Sequence, residues 1–368
     1  MNNKKGENMI NLRKVGFTAL AGSLVAVSAQ AGEMSVTGSH ITTYTTGDVT
    51  GNTENSHQAQ GIGSNTNLTF SGSGDLDNGW SVSTFIATND AQAALSSTAA
   101  TMTMGDMGTI GVSKGGGFNV NGAYDETYPR AYEENSDAGG QSSLNSVGNW
   151  ADDNAIIYKA PAIDLMGATI NIGVEHSLQA GTGTSADGVA PARSSTYGSG
   201  TGVGVTAAYG GLTLGAYGAE RENKNAAATD DVGDEFNGSW FVNYSFGPVS
   251  VGYQETYFDA GVTATTHSTT TVKTVGTDGG LFTGEAMSIA FNVNDNLSIS
   301  YSEVEDTYDS QDGNNTVEDQ TQKTESLQIA YTMGSMSIKA YNTEISNPDY
   351  DTDADKRNVN EIALGLAF

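Results

Sequence analysis

Five carboxylates, Asp125, Glu126, Glu133, Glu134 and Asp137, crowd one polar stretch of the chain, with Arg130 the basic residue among them. Held in a narrow aqueous space with low-dielectric walls, such a group would focus a field that attracts cations. On an open loop tip the same acids would be solvated and inert. Other residues point to covalent or metal chemistry less well. Gly111-Val112-Ser113-Lys114-Gly115 fits the Gly-x-Ser-x-Gly nucleophile pattern, but that elbow needs a strand-to-helix turn, and a glycine-rich polar stretch follows instead. His40, His57, His176 and His267 are scattered without metal-binding spacing and read as pore-lining or loop side chains. Asp349, Asp351, Asp353 and Asp355 alternate like the start of a calcium loop. They lack the turn glycine and the distal bidentate glutamate, which leaves at most a weak surface site for a divalent ion. No cysteine is present, so thiolate metal sites and cysteine nucleophiles are excluded. No cofactor and no catalysis are implied.

The elements that position these residues are read from the chain's ends inward. Lys4, Lys5, Arg13 and Lys14 precede an apolar run from Val15 to Val27 and then Ala29-Gln30-Ala31. This reads as an export signal over residues 1–31, cleaved after Ala31, with a run too short to span a bilayer. It leaves a single domain over 32–368. At the other end Ile362, Leu364, Leu366 and Phe368 alternate with Glu361, Ala363, Gly365 and Ala367. In a strand that pattern gives one apolar and one small or polar face. No later segment is apolar enough for a spanning helix, so membrane residence requires a closed barrel.

Charge narrows the partners. The formal net charge is −28, and loss of residues 1–31 removes four bases but one acid, making the remainder still more negative. Nucleic acid is therefore excluded as a partner, because phosphate binding needs clustered Lys and Arg. The low overall hydrophobicity suits a large barrel, in which the outer face alone must be apolar.

Period-two patterning predicts sixteen strands: 33–46, 63–74, 79–89, 97–105, 107–114, 153–161, 166–177, 200–210, 211–222, 235–247, 248–260, 281–294, 295–306, 321–333, 335–346 and 357–368. Connections alternate in length. Tight turns such as Phe246-Gly247-Pro248 and Asn294-Asp295-Asn296 carry residues suited to turn dihedrals, and long polar segments separate the resulting hairpins. The fold class is all-β: a transmembrane antiparallel barrel of about 16 strands, with short periplasmic turns and long extracellular loops. A barrel that wide should enclose water. Aromatics near the tight turns, among them Trp80, Tyr209, Tyr244, Phe246, Phe291, Tyr331 and Phe368, should form an interfacial girdle.

Three segments carry a family resemblance. Leu68 to Trp80 resembles the second hairpin of the general porins of Gram-negative bacteria, with its leucine and Asn78-Gly79 turn. Gly105-Asp106-Met107-Gly108-Thr109 is similar to their Gly-x-x-Gly-Thr strand. Asp153 to Pro161 is similar to the strand after their third loop. The terminal aromatic likewise resembles their assembly signal.

The resemblance implies trimeric sixteen-stranded barrels in the outer membrane, among lipid and lipopolysaccharide, that pass small hydrophilic solutes and ions. It further implies that the third loop, here 115–152, folds into the lumen and sets its carboxylates against a basic wall. The 90–96 loop occupies the place of the intersubunit latch.

The basic half of that field is weakened in this chain, since no Lys or Arg occurs between Val15 and Ser113. Lys114 stands where a family arginine often sits, yet alternation places it with Ile110 and Val112 on the apolar face. Asp152 replaces another basic position. Lys159 and Lys339 have lumen parity, and Arg130 can neutralise acids within the loop. The constriction set is thus Asp125, Glu126, Glu133, Glu134, Asp137, Lys114, Arg130, Lys159 and Lys339. The expected activity is passive, cation-preferring diffusion. The alternatives are a substrate-selective channel and a surface adhesion or structural barrel.

Overall fold

A computed structural model describes residues 34–47, 59–89, 95–153, 155–180, 197–223, 233–262, 272–311 and 319–368. The expected export signal over 1–31, most of the 90–96 latch, His57 and His267 lie outside the described residues.

The chain runs as β1 (Met34–Gly47), β2 (Ala59–Asp75), β3 (Ser81–Thr88), β4 (Leu95–Thr103) and β5 (Thr109–Lys114). After a long connection come β6 (Ala155–Lys159), β7 (Ile163–Leu165), β8 (Ala168–Ser177), β9 (Tyr197–Tyr209) and β10 (Leu212–Asn223). Then follow β11 (Glu235–Phe246), β12 (Val249–Asp259), β13 (Leu281–Asn294), β14 (Leu297–Asp309), β15 (Gln320–Met333), β16 (Met336–Ser346) and β17 (Arg357–Ala367). Consecutive strands pair antiparallel, and β1 pairs with both β2 and β17, so the sheet closes on itself.

Seventeen segments make sixteen staves. β6 and β7 both pair with β8, and together they form one stave broken at Ala160-Pro161. The sequence reading ran that strand through Pro161 and missed 163–165. Pro161 has no N–H for the ladder, so regular pairing stops there and resumes beyond it.

Alternation sorts the side chains into two environments. On β15, Gln320, Gln322, Thr324, Ser326 and Gln328 are buried on the inner face, while Leu327, Ile329 and Tyr331 are exposed on the outer one. Ile362, Leu364, Leu366, Met287, Ile289, Ile299 and Trp240 are also exposed outward. This outer band has no water-excluding partner within the chain, as expected of a surface that lipid covers. Around the short-turn rim Tyr209, Tyr244, Phe246, Phe291, Tyr331 and Phe368 are exposed aromatics. The turn at Gly247, with φ +57, takes a conformation that L side chains rarely adopt.

The closing seam is tight at its end. Phe368 and Gly38 exchange two backbone hydrogen bonds, 2.8 Å from the Gly38 amide and 2.9 Å from the Phe368 amide. A Cβ on Gly38 would collide with the Phe368 ring. Glycine at 38 therefore lets the terminal aromatic lie flat across the seam. Gly38→Val should cost about 1–3 kcal/mol by overpacking. It should lower the folded fraction, read as loss of the fast-migrating, heat-modifiable band on unboiled gels, while Gly72→Val, in open space, should not.

A long loop that lines the lumen

The connection between β5 and β6 runs out and back across the inside of the barrel. Its base is tied by Asp152, whose Oδ1 accepts from Asn119 Nδ2 at 2.7 Å and Asn121 Nδ2 at 3.1 Å. Ser113 donates to Asn119 Oδ1. Buried in an antiparallel strand with that partner, Ser113 sits on no nucleophile elbow.

The outgoing leg crosses the wall strand by strand. The Val120 amide donates to Glu175 on β8 at 2.7 Å, and Tyr124 packs between Tyr217 of β10 and Phe241 of β11. Gln254 of β12 donates to the Tyr124 carbonyl at 2.5 Å, and Asn243 of β11 to that of Thr127 at 3.1 Å. The Ala131 amide reaches Ser300 on β14 at 2.9 Å, and that of Tyr132 reaches Gln328 on β15 at 2.8 Å. Tyr132 Oη then donates to Glu361 on β17 at 2.8 Å, and Glu361 also accepts from Thr45 of β1 at 2.7 Å. One carboxylate thus joins the loop to the closing seam.

The return leg docks through Gln141 on Gln322, through Ser143 on Asp306 and through Trp150 against β9. Backbone groups that leave the sheet ladder are satisfied by these inner-wall side chains, as buried backbone must be.

The wall is cut to receive the loop. On β9, Gly198, Gly200, Gly202 and Gly204 occupy successive inner positions. A Cβ on Gly204 would lie 2.6 Å from Tyr124 Oη and 2.7 Å from Val120 Cγ1. Sequence reasoning passed over this Gly-x-Gly-x-Gly-x-Gly stripe. Glycine at period two inside a strand is the available signal that another segment presses close. Gln254, Gln322, Gln328, Asp306 and Glu361 were also missed, although alternation alone puts all five on the inner face.

The predicted site residues divide into four groups. Asp125, Glu133, Glu134 and Asp137 gather on the loop with Arg130, which pairs with Glu134 and donates to the Glu126 carbonyl. Asp137 is exposed, and Asp125, Glu133 and Glu134 are half-buried. The recess beside them holds about 490 Å³ and is lined by Asp125, Thr127, Arg130, Glu134, Asn243, Ser245 and Ser250. Glu126 is fully enclosed instead, accepting from Ser136 at 2.9 Å and Ser142 at 3.2 Å across the two legs. Lys159 and Lys339 point inward, their Nζ atoms 4.4 Å from the Phe118 ring centre and 4.9 Å from that of Tyr132. Lys114 ends β5 on the outward parity of Val112, apart from the loop acids.

Burial is the main force on the loop carboxyls, because desolvation penalises the charged form. It raises Asp125 to about 7, with Glu134 adding to the shift. Glu126 rises to about 8 and Glu133 to about 7, the latter also through its Asp137 neighbour. Glu134 and Asp152 are raised as well.

Two further expectations meet the geometry. His40 and His176 are not pore-lining: His40 pairs in register with Leu366 and His176 with Ile156, so both face outward. The polar strand context explains this, as His40 bonds Thr66 at 2.8 Å and Thr42 at 2.9 Å, and His176 bonds Thr201 at 2.9 Å. Asp349 faces Arg357 at 3.3 Å and Gln141 at 3.3 Å. Among the described residues no group of three His, Cys, Asp or Glu is arranged to hold a metal ion.

Gly204→Leu should lift the outgoing leg while leaving the barrel closed. Protease cleavage near residues 118–124 should increase, with heat-modifiable mobility retained.

The chain matches the Gram-negative porin family over residues 16–368. No curated protein matches it by sequence. Among solved structures it is similar to Salmonella typhi OmpF in complex with daunomycin, at 12% identity and a TM-score of 0.66, covering 93% of this chain and 99% of that one. It is similar to the anion-selective porin from Comamonas acidovorans, at 12% identity and 0.58, covering 91% and 99%. The trimer form of in-vitro folded Vibrio cholerae OmpT aligns at 12% identity and 0.52, covering 92% and 100%.

Proposed function

The chain belongs to the Gram-negative porin family and is an outer-membrane β-barrel channel, and from that premise we propose that it passes small hydrophilic solutes and ions by passive diffusion with preference for cations. The same fold serves an anion-selective relative, so selectivity must be argued from charge. The observation that carries the reading is the imbalance across the lumen. Asp125, Glu133, Glu134 and Asp137 stand on the loop beside Arg130. The inner faces of β1 to β4, read by alternation, offer Ser39, Thr43, Asn65, Asn67, Thr69, Ser83 and Thr101. Facing an uncharged wall, the acids attract cations without a strong transverse field. Lys159 and Lys339 remain as basic groups beneath the loop and moderate the preference. No catalytic step is invoked.

Trimer formation is supported by a different surface. The outward side chains of β1 to β4 set His40, Thr42, Ser64, Thr66, Thr84, Thr98 and Ala100 among Val36, Ile62, Phe70, Val82 and Ile86, where β13 presents Met287, Ile289 and Phe291. Polar and small residues at membrane depth favour a protein neighbour over lipid. A second copy of the chain fits that role, and one similar structure is itself a trimer form.

Two measurements test these readings. In a salt gradient across a planar bilayer, the reversal potential at pH 9 should show cation preference. Asp125 and Glu133, raised to about 7, lose charge as pH falls through that value, so preference should decline toward pH 5 by about threefold for each kT of lumen potential removed. Asp125→Asn with Glu134→Gln should flatten the decline, and anion preference at pH 9 would overturn the reading. Because the chain lacks cysteine, Thr66→Cys should allow thiol crosslinking between copies. Ile289→Cys should not, and equal crosslinking at both positions would refute the assigned face.

A further inference from the structure

A second cavity, about 520 Å³, opens on the outside of the barrel between β10 and β13. Its outward residues are Ala216, Gly238, Trp240, Glu255, Tyr257, Thr283 and Glu285. Gly238 leaves the floor without a side chain. Aromatic rings form the walls: Trp240 lies 5.4 Å from Tyr253, and Phe236 lies 6.1 Å from Tyr257. Glu255 is fixed in place, accepting from Trp240 Nε1 at 3.0 Å and from Tyr253 Oη.

The charge in this groove is unbalanced. Glu255 stands directly opposite Glu285, and Glu285 directly opposite Glu305. Like charges facing across strands destabilise a sheet. The lining contains no Lys, Arg or His, and Lys323, the base nearest along the row, contacts Glu303, Glu305 and Glu325. The groove sits one row toward the long loops from Val242, Tyr253 and Met287, on the long-loop side of those apolar residues.

We propose that this groove binds a membrane amphiphile whose headgroup carries a primary ammonium. The ammonium would lie between the two carboxylates and against the rings of Trp240 and Tyr257, where a cation is favoured by both charge and ring quadrupole. The acyl chains would run down over Val242 and Met287. A bare divalent ion fits less well, since Glu305, the next carboxylate along the row, lies against Lys323, and among the described residues no three His, Cys, Asp or Glu are arranged to hold a metal ion. The site rests on the outer-membrane orientation of the barrel and is independent of pore selectivity.

The test uses the full-length folded protein in neutral detergent. A brominated dodecylammonium probe should quench Trp240 fluorescence saturably, with the contribution of Trp80 and Trp150 defined by Trp240→Phe. Glu255→Gln combined with Glu285→Gln should weaken binding about tenfold, while bilayer conductance, which verifies folding, stays at the wild-type value. Glu285→Gln alone should give a smaller loss in the same direction. Unchanged affinity in the conducting double variant would overturn the site and leave the channel reading intact. So would equal binding of the matching alkyl phosphate, or a calcium requirement. Absence of conductance in the wild type, with quenching intact, would instead sink the channel reading.

Discussion

The rest of the structure depends on one requirement: in hydrocarbon, every backbone N–H and C=O must find its partner within the protein. A sheet meets it only by closing, so β1 must pair on both sides. Pairing of the first strand with the last fixes the register of the whole barrel, and it makes the terminal Phe368 and the small Gly38 a joint feature of the seam. Edge strands, the usual route to aggregation, are thereby abolished. The apolar outer band and the polar inner face follow from the same alternation, once the sheet is curved into a cylinder.

Closure creates a second problem, because sixteen staves leave a lumen that side chains cannot fill. The loop between β5 and β6 answers it by bringing its own small core. Tyr124, Val147 and Trp150 pack with Ile157, Tyr217 and Phe241, while Leu144 and Tyr128 pack with Ala286 and Val304. These apolar contacts stand on the inner wall of an otherwise polar channel. They work because Gly200, Gly204 and Gly252 have given up their side chains where the loop passes. Loop and wall are complementary surfaces, and neither is intelligible alone.

That mutual fit explains which features the sequence made legible. Strand order, the short-turn rim and the inward parity of Lys159 and Lys339 all follow from local alternation and turn chemistry. The break at Pro161 was also available locally and was read through. His40 was misread because its partner Leu366 is more than three hundred positions away, and only the seam register shows that both face outward. The loop's course was harder still: Gln254, Gln328 and Glu361 look like ordinary inner-wall polar residues until the segment they hold is in place. The outward acids Glu255 and Glu285 followed the same pattern. Each sits on the apolar parity in the loop-side half of its strand.

Glu126 carries a consequence for how such a protein can change over time. It is the loop acid withdrawn from the channel, held by Ser136 and Ser142 between the two legs. Shape thus falls to one carboxylate, and on the proposed reading the field falls to its neighbours. Under the proposed selectivity, substitutions at Asp125, Glu133, Glu134 or Asp137 would shift ion preference by small steps while the scaffold that presents them stays put. A lineage facing a new mixture of solutes could retune this gate piecemeal, without passing through forms that fail to fold.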